Sequence, residues 1–380
     1  MAKNIIFCAD GTWNNPYEDE NGDHTADPTN VYKLFLCLSG ELSPDSLRDA
    51  DEQEKVLSTD GVVRQVAKYL HGVGDSRNPI NKLMGGAFGA RVISRIVRGY
   101  TFISRNFNDG DNIHIVGFSR GAYTARALAG LIASQGLLAP DLNQDRENAY
   151  RAGAQAWYRY RQELPESHPG LAKLAEIAAD LPAFLSSGSL KDADLAPVNR
   201  IAAVAVWDTV GAMGFPEFAN GKNVDAFKFA DTALSPKVAK GFHAVSLDEQ
   251  REAFTPTLWT AGSFTQVLFP GAHADVGGGY PMVNNESGLS DGALQWMIDQ
   301  LRAGVAFVDT FPYALNPNPA GTAHKPWIHA PWPLFPTGPR NFEGVAELEQ
   351  DPSIEAREKA GSVVAEPGEG PSPYLPPNLP

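Results

Sequence analysis

Short, mostly apolar runs recur along the chain, and each ends in a polar turn that contains glycine. Four of them cover residues 5–9, 66–70, 113–118 and 201–207, and a fifth candidate covers residues 265–269. Continuous apolar runs of this length, without polar alternation, are typical of strands that are buried on both faces of a parallel sheet. The pattern therefore predicts a parallel sheet with helices on either side.

Helical periodicity lies between these runs. Apolar side chains recur at helical spacing over residues 88–107, and residues 121–135 and 289–305 form two further helical patterns. Strands that alternate with helices predict an α/β fold with a mostly parallel central sheet flanked by helices. In such sheets the functional residues lie at the carboxyl ends of the strands, which is where the polar turns fall.

One region interrupts this alternation. Residues 141–198 are predicted to form helices, over 146–162 and 171–185, with no strand between them. An insertion of this size beside a strand-end site commonly forms a lid or cap, and helices that only enlarge the core are the equally open alternative.

The C-terminal part of the chain differs in composition. Residues 311–380 contain 15 of the 29 prolines, and residues 341–380 contain eight acidic residues against two basic ones. This composition is typical of an extended, partly disordered tail. The 380 residues are therefore predicted to comprise one α/β domain over 1–310, with the insertion at about 141–198, and a Pro-rich acidic extension over 311–380.

The formal net charge of −14 argues against a nucleic-acid partner and against electrostatic binding to anionic membranes, because both need basic patches. It leaves lipid open as a substrate, since an acyl chain can enter an apolar cleft. Two cysteines, Cys8 and Cys37, provide neither a disulfide framework nor a cysteine-based metal site. No apolar stretch reaches the ~18 residues of a membrane span, and the N-terminal run is too short for a signal-peptide core. We expect a chain that is cytoplasmic as synthesised, and any export would need no signal peptide.

The clearest candidate for chemistry is a serine at a strand-to-helix turn. Gly117, Ser119 and Gly121 form a Gly-x-Ser-x-Gly motif that follows the apolar run at 113–118 and opens a helical pattern. This context is the one in which the motif forms a nucleophile elbow, where the tight turn presents the serine at the helix N-terminus. The pattern predicts Ser119 as a nucleophile, and a purely structural turn in the same fold is the alternative.

A serine nucleophile needs a base and an acid that orients the base. His273 lies in a Gly-flanked turn just after a strand candidate, and Asp208 ends an earlier strand, so that the chain order is Ser, Asp, His, as in α/β-hydrolases. These positions predict His273 as the base and Asp208 as the acid. The alternatives are a polar turn residue for His273 and an Asx-turn or helix cap for Asp208.

Backbone N–H groups of two turns are the candidates for an oxyanion hole. One donor is expected from Arg120, directly after the nucleophile, and the other from the turn at Gly11 and Thr12. Asp10 is expected to fix that turn through a hydrogen bond, with an ordinary strand-to-loop turn as the alternative.

Two other polar residues are candidates for supporting roles. Asp275 lies too close to His273 in sequence to reach its Nδ1 easily and is interpreted as an organiser of the loop before three glycines. His243 precedes a segment, residues 247–254, that is predicted to be helical.

Several motifs together resemble one known family. In chain order they are FCADGTWN (7–14), NVYKL (30–34), GVG (72–74), GFSRGAYTAR (117–126), VWDTVG (206–211), HAVSLDE (243–249) and FPGAHADVGG (269–278). They resemble the α/β-hydrolase domain family that includes type VI secretion phospholipase effectors, over about residues 4–300. The resemblance implies a Ser-Asp-His lipase or esterase acting on phospholipid or another ester, without a cofactor, and supports Ser119, Asp208 and His273. It also suggests an immunity partner or a secretion-apparatus partner.

The leading hypothesis is therefore a serine hydrolase of carboxylic esters that forms an acyl-enzyme. A second hypothesis is a metal-dependent phosphohydrolase, because several acids and a histidine lie at strand ends and could bind a divalent cation: Asp10, Asp75, Asp208, His273 and Asp275. A third is a non-catalytic interaction protein on a hydrolase scaffold, since fold does not determine function.

Overall fold

The computed structural model describes residues 2–11, 26–47, 52–71, 88–163, 190–211 and 232–379. Thr12, Asp75 and the predicted helix at 171–185 lie outside these ranges.

A nine-stranded sheet forms the centre of the molecule. Its strands are β1 (Asn4–Ala9), β2 (Glu41–Leu42), β3 (Glu52–Thr59), β4 (Val62–Leu70), β5 (Asn112–Phe118), β8 (Ala203–Trp207), β9 (Gly241–Ser246), β10 (Phe264–Phe269) and β11 (Leu348–Gln350). The spatial order is β11-β10-β9-β8-β5-β1-β4-β3-β2, parallel from β11 to β4 and antiparallel from β4 to β2. A separate antiparallel pair joins β6 (Leu137–Leu138) to β7 (Leu195–Ala196).

Helices cover both faces of this sheet. They are α1 (Asn30–Cys37), α2 (Phe88–Asn106), α3 (Arg120–Gln135), α4 (Arg146–Glu163), α5 (His273–Gly277), α6 (Gly288–Leu301) and α7 (Pro352–Lys359). One core lies between the sheet and α2, α3 and α4, and a second lies between the sheet and α1 and α6. This arrangement confirms the predicted α/β-hydrolase-like fold with a mostly parallel sheet.

The side chains of the central strands alternate between the two cores, and this explains why the sequence of each strand is an unbroken apolar run. In β1, Ile5 and Phe7 belong to the first core, whereas Ile6 and Cys8 belong to the second. Successive side chains of a strand point to opposite faces, so a strand between two helical layers needs apolar residues at every position.

Some elements differ from the prediction. The strands β2, β3, β9 and β11 and the helix α1 were not predicted, and residues 247–254 contain only a 3₁₀ turn, Glu252–Phe254, instead of a helix. In β9 the polar His243 and Ser246 break the apolar pattern, although both are fully buried.

The described part of the insertion extends the first core. Ala152, Ala156, Trp157 and Tyr160 of α4 are buried there together with side chains of α2 and α3. The lid remains a prediction, since residues 164–189 are outside the described ranges.

The C-terminal segment, residues 311–379, was predicted to be an extended, partly disordered tail, but it makes ordered contacts with the sheet. Its strand β11 pairs with β10, and Phe342 and Ile354 form a third core with side chains of the sheet region. Buried Arg357 donates to the carbonyls of Pro319 and Gly321. This Pro-rich segment is thus held by side-chain hydrogen bonds and by apolar anchors such as Phe342 and Ile354. The boundary near residue 310 stays a prediction.

Candidate active site

Ser119 lies on a strained turn between β5 and α3. Its backbone has φ 57° and ψ −123°, a conformation that L-residues rarely adopt outside functional sites. A Cβ atom at Gly117 would lie 2.4 Å from the carbonyl oxygen of Gly121, and one at Gly121 would lie 2.1 Å from that of Ala9. Glycine is therefore required on both sides of the serine, as the motif predicted.

The side chains of Ser119, His273 and Asp208 form one continuous chain of contacts. His273 Nε2 lies 2.8 Å from Ser119 Oγ, and His273 Nδ1 lies 2.5 Å from Asp208 Oδ2. All three residues are buried, and they follow β5, β10 and β8 at the carboxyl end of the sheet. With Nδ1–H donated to the carboxylate, Nε2 is in position to accept the hydroxyl proton of the serine.

The surroundings of His273 favour its neutral form. Burial lowers the pKa of His273; the Asp208 carboxylate opposes this effect, and the nearby Arg251 guanidinium adds to it. The rings of Phe118 and Phe254 lie 4.6 Å and 4.8 Å from the imidazole. A neutral imidazole is the form that can act as a general base.

Asp208 is bound by an arginine that the sequence did not reveal. Arg340 donates from both terminal nitrogens to Asp208, at 2.7 Å to Oδ1 and 2.9 Å to Oδ2. Burial alone would raise the pKa of Asp208, but the charge of Arg340 and the hydrogen bonds from His273 and Arg340 hold it well below its usual range. Nothing in the Pro-rich sequence around Arg340 signals this contact.

Asp10 organises the loop after β1. Its carboxylate accepts from Tyr69 Oη at 2.7 Å, from Thr29 Oγ1 at 2.8 Å and 2.9 Å, and from the Gly11 N–H at 2.7 Å. Burial raises the pKa of Asp10 to about 6, against the lowering effect of these hydrogen bonds. The contact with Gly11 is the turn bond that the sequence predicted for Asp10.

The same bond changes the predicted oxyanion hole. Because the Gly11 N–H donates to the Asp10 carboxylate, it is not directed at a substrate in this arrangement. Arg120 begins α3 directly after Ser119, so its N–H keeps the predicted position at the N-terminus of the helix. Thr12 remains the second candidate donor and lies outside the described ranges.

His243 lies behind Asp208 and contacts the backbone instead of the serine. Its Nε2 accepts from the N–H of Thr209 at 3.1 Å, and its Nδ1 lies 3.2 Å from Gln266 Oε1. Burial lowers the pKa of His243 to about 3. A neutral His243 thus holds the residue that follows Asp208.

Asp275 pairs with a different histidine. Its carboxylate accepts from the Ala272 N–H at 2.8 Å and lies 2.7 Å from His324 Nδ1. The contacts of Asp275 therefore connect the start of α5 with the C-terminal segment, and the imidazole of His273 is bound by Asp208 instead.

A buried ion pair that the sequence did not reveal supports the backbone of His273. Glu249 accepts from the N–H of His273 at 3.2 Å, and from Nε and one terminal nitrogen of Arg251 at 2.8 Å and 2.7 Å. Glu249 is the last residue of the HAVSLDE motif, one of the motifs that resemble the family. Its place in that motif was the one feature of the sequence that could have indicated a role for Glu249.

Neither a metal-binding cluster nor a membrane-spanning helix is present in the described residues. These residues contain no group of three or more histidine, cysteine, aspartate or glutamate side chains placed to hold a metal ion. Within the same ranges, no helix has the length and apolar character needed to cross a membrane.

The fold and the site together define the class of the protein. A mostly parallel sheet, a serine on a strained strand-to-helix turn and a His–Asp pair at neighbouring strand ends make it an α/β-hydrolase-like protein. Residues 3–300 match the family described as T6SS, Phospholipase effector Tle1-like, catalytic domain, and the chain belongs to this family. The match confirms the resemblance seen in the motifs.

The chain is also similar to a yeast protein and to two proteins of known structure. The uncharacterized protein YEL023C of Saccharomyces cerevisiae is 27% identical over 272 residues, which are 70% of this chain and 34% of the yeast protein. An uncharacterized protein from Pseudomonas aeruginosa is 19% identical with a TM-score of 0.41, over 80% of this chain and 46% of that one. The Tle1 effector, in its structure bound to the VgrG spike from the Type 6 secretion system, is 17% identical with a TM-score of 0.37. The match covers 74% of this chain and 51% of the Tle1 chain. The chain thus spans between about a third and a half of these proteins.

Proposed function

We propose that the protein is a serine hydrolase that cleaves carboxylic esters of lipids, with phospholipids as the first class to test. The observation that carries this proposal is the continuous chain of contacts from Ser119 through His273 to Asp208. Ser119 Oγ lies 2.8 Å from His273 Nε2, His273 Nδ1 lies 2.5 Å from Asp208 Oδ2, and the backbone of Ser119 is strained. Membership of a phospholipase effector family supports the substrate class.

The reaction follows from the order of these contacts. Ser119 Oγ attacks the ester carbonyl carbon while its proton passes to His273 Nε2, and Asp208 stabilises the imidazolium that forms. The tetrahedral intermediate collapses, the alcohol leaves with that proton, and the acyl group stays on Ser119. Water then gives a proton to His273, attacks the acyl-enzyme and releases the fatty acid, which restores Ser119.

The oxyanion of each tetrahedral intermediate needs backbone donors. We assign this role to the N–H groups of Arg120 and Thr12. The dipole of α3 adds to the stabilisation of negative charge beside Ser119.

Family membership also motivates the proposed partners. We propose a secretion-apparatus or immunity partner because the family comprises T6SS effectors. Export without a signal peptide would agree with that role.

Products from mixed phospholipids and from short-chain esters test the function. We expect wild type to release fatty acid in mass spectrometry, and Ser119→Ala to lower the rate by about 10⁴-fold or more, with little change in melting temperature. Ser134→Ala is the matched control, because Ser134 is an exposed serine on the same helix.

Two results would contradict the proposal. Full activity of Ser119→Ala would remove the serine from the mechanism. An active-site phosphonate that leaves no adduct on Ser119 of a folded protein would favour a non-catalytic role.

A further inference from the structure

We propose that Arg340 is a positioning residue of this active site, acting through Asp208, and that the C-terminal segment is part of the catalytic unit. Arg340 lies outside the 3–300 range matched by the catalytic-domain family. The inference rests on the proposed function, because it assigns a role within the Ser119–His273–Asp208 triad.

The ion pair between Arg340 and Asp208 is buried and bidentate. The guanidinium presents two nitrogens to the two carboxylate oxygens, at 2.7 Å and 2.9 Å, and both side chains are 5% exposed or less. Such a fork fixes the plane of the carboxylate as well as its position. Lysine has a single ammonium group and cannot reproduce this geometry.

Arg340 also connects Asp208 with the neighbouring strand end. It donates to the carbonyl oxygen and the hydroxyl oxygen of Ser246, at 2.7 Å and 2.6 Å, and to the carbonyl oxygen of Phe254. The N–H of Ser246 in turn donates to Asp208 Oδ1 at 3.0 Å. The guanidinium therefore joins the end of β9 and the following 3₁₀ turn to the acid of the triad.

Each oxygen of Asp208 then has a defined set of partners. Oδ1 accepts from Arg340 and from the Ser246 N–H, while Oδ2 accepts from Arg340 and from His273. A carboxylate held in this way keeps Oδ2 directed at the imidazole without relying on His273 alone.

The segment that carries Arg340 is tied to the same end of the sheet. The N–H of Gly338 donates to the carbonyl of Gln250 at 2.7 Å, and the N–H of Glu252 donates to that of Pro336 at 3.2 Å. Asn378 Nδ2 donates to the carbonyls of Leu247 and Arg340. Residues far apart in the chain thus place the guanidinium, and the site is incomplete without them.

The position of Arg340 also affects the charge felt by the base. The charged or titratable groups around the imidazole come from several elements: Asp208, Glu249, Arg251 and Arg340, with His243 behind Asp208 and Asp275 on α5 itself. Because the positive charge of Arg340 partly neutralises the Asp208 carboxylate, that carboxylate stabilises the imidazolium of His273 less strongly than it would without Arg340. Loss of the guanidinium is expected to raise the pKa of His273.

The test compares Arg340→Met and Arg340→Lys with a control, Arg357→Met. Arg357 is a buried arginine of the same segment. It donates to backbone carbonyls and lies over the ring of Tyr374, and none of these groups belongs to the triad. Two readouts are used: kcat/KM against pH with a short-chain p-nitrophenyl ester, and the titration of His273 by NMR in Ser119→Ala protein. The NMR readout needs no turnover.

For Arg340→Met we expect kcat/KM at its plateau to fall about 10- to 100-fold, because the carboxylate is no longer fixed. The acidic limb of the profile and the NMR titration of His273 should both move up by about one pH unit. Arg340→Lys should lie between Arg340→Met and wild type, and Arg357→Met should leave both the limb and the titration in place.

The inference would be overturned if Arg340→Met kept the plateau and the acidic limb of the kcat/KM profile and the NMR titration of His273 unchanged. If that variant does not fold, the same unchanged values in Arg340→Lys would overturn it. If wild type hydrolyses no ester, the proposed function fails, whereas the titration of His273 still decides whether Arg340 acts through Asp208.

Discussion

Two buried histidine–carboxylate pairs each include one residue of α5, and the pKa values of their histidines are shifted in opposite directions. His273 lies 2.5 Å from Asp208, and His324 lies 2.7 Å from Asp275, which is two residues after His273 in the chain. The pKa of His273 is lowered, whereas that of His324 is raised. The contact with a carboxylate is therefore not what decides whether the imidazole holds a proton.

The charges around each pair explain the difference. In the first pair, burial disfavours the imidazolium of His273, the charge of Arg251 adds to this effect, and Arg340 binds the Asp208 carboxylate that opposes it. In the second pair, burial of His324 also disfavours the charged form, but the Asp275 carboxylate and a second one, Glu286, outweigh it.

The geometry of the two imidazoles agrees with these roles. His324 Nε2 lies 3.4 Å from Glu286 Oε2, and the ring of Tyr280 stacks on the imidazole. His273 Nε2 instead lies against the hydroxyl of Ser119. The same kind of histidine–carboxylate pair thus favours the neutral imidazole in one place and the imidazolium in the other.

The largest expected effect comes from removing the charge of the Asp208 carboxylate. We expect Asp208→Asn to lower kcat/KM by about 10⁴-fold, because an amide no longer stabilises the imidazolium or selects the tautomer of His273. Asp275→Asn is the matched variant, and we expect a loss of less than about tenfold, since Asp275 contacts the start of α5 but not the imidazole of His273. Steady-state kinetics on one ester checks both.

Equal losses in the two variants would contradict the division of roles. A larger loss in Asp275→Asn would exchange them and make Asp275 the acid of the triad.

A smaller effect is expected in the pH dependence of stability. Since the pKa of folded His324 is raised above 6.5, its stabilising effect is fully present below that pH and is lost as the pH rises through the folded value. The difference in free energy of unfolding between wild type and His324→Gln should therefore be largest in acid and shrink toward alkaline pH. Urea unfolding between about pH 5.5 and about pH 8.5 measures it.

The Asp275→Asn background provides the control for this experiment. There the effect of His324→Gln should lose most of its pH dependence, because the main partner charge is gone. A difference that grew with pH would contradict the raised pKa of His324.

The sequence predicted the elements whose causes are local. The apolar runs of β1 and β5 are readable because both faces of these strands are buried. The turn at Ser119 is readable because its strain requires glycine two residues away on each side. Asp208 and His273 could be proposed since each directly follows a strand candidate.

The features that were missed depend on contacts between distant segments. β9 contains His243 and Ser246, whose burial is possible only because Thr209, Gln266 and Arg340 supply hydrogen-bond partners. Arg340 lies 132 residues after Asp208 in a Pro-rich stretch, so no local pattern could connect the two. Composition predicted an extended tail here and did not reveal the residues that anchor it, such as Phe342 and Ile354.

The smallest expected effect isolates the second carboxylate beside His324. Glu286→Gln should lower the pKa of His324, because one of the two charges that favour the imidazolium is removed while Asp275 remains. Histidine titration by NMR measures the shift, and kcat/KM should stay within about twofold of wild type, since Glu286 has no contact with Ser119 or His273 among its hydrogen bonds. Glu369→Gln is the matched control, because Glu369 pairs with Lys325 beside His324 and not with the imidazole. An unchanged titration of His324 in Glu286→Gln would show that Asp275 alone accounts for the difference between the two pairs.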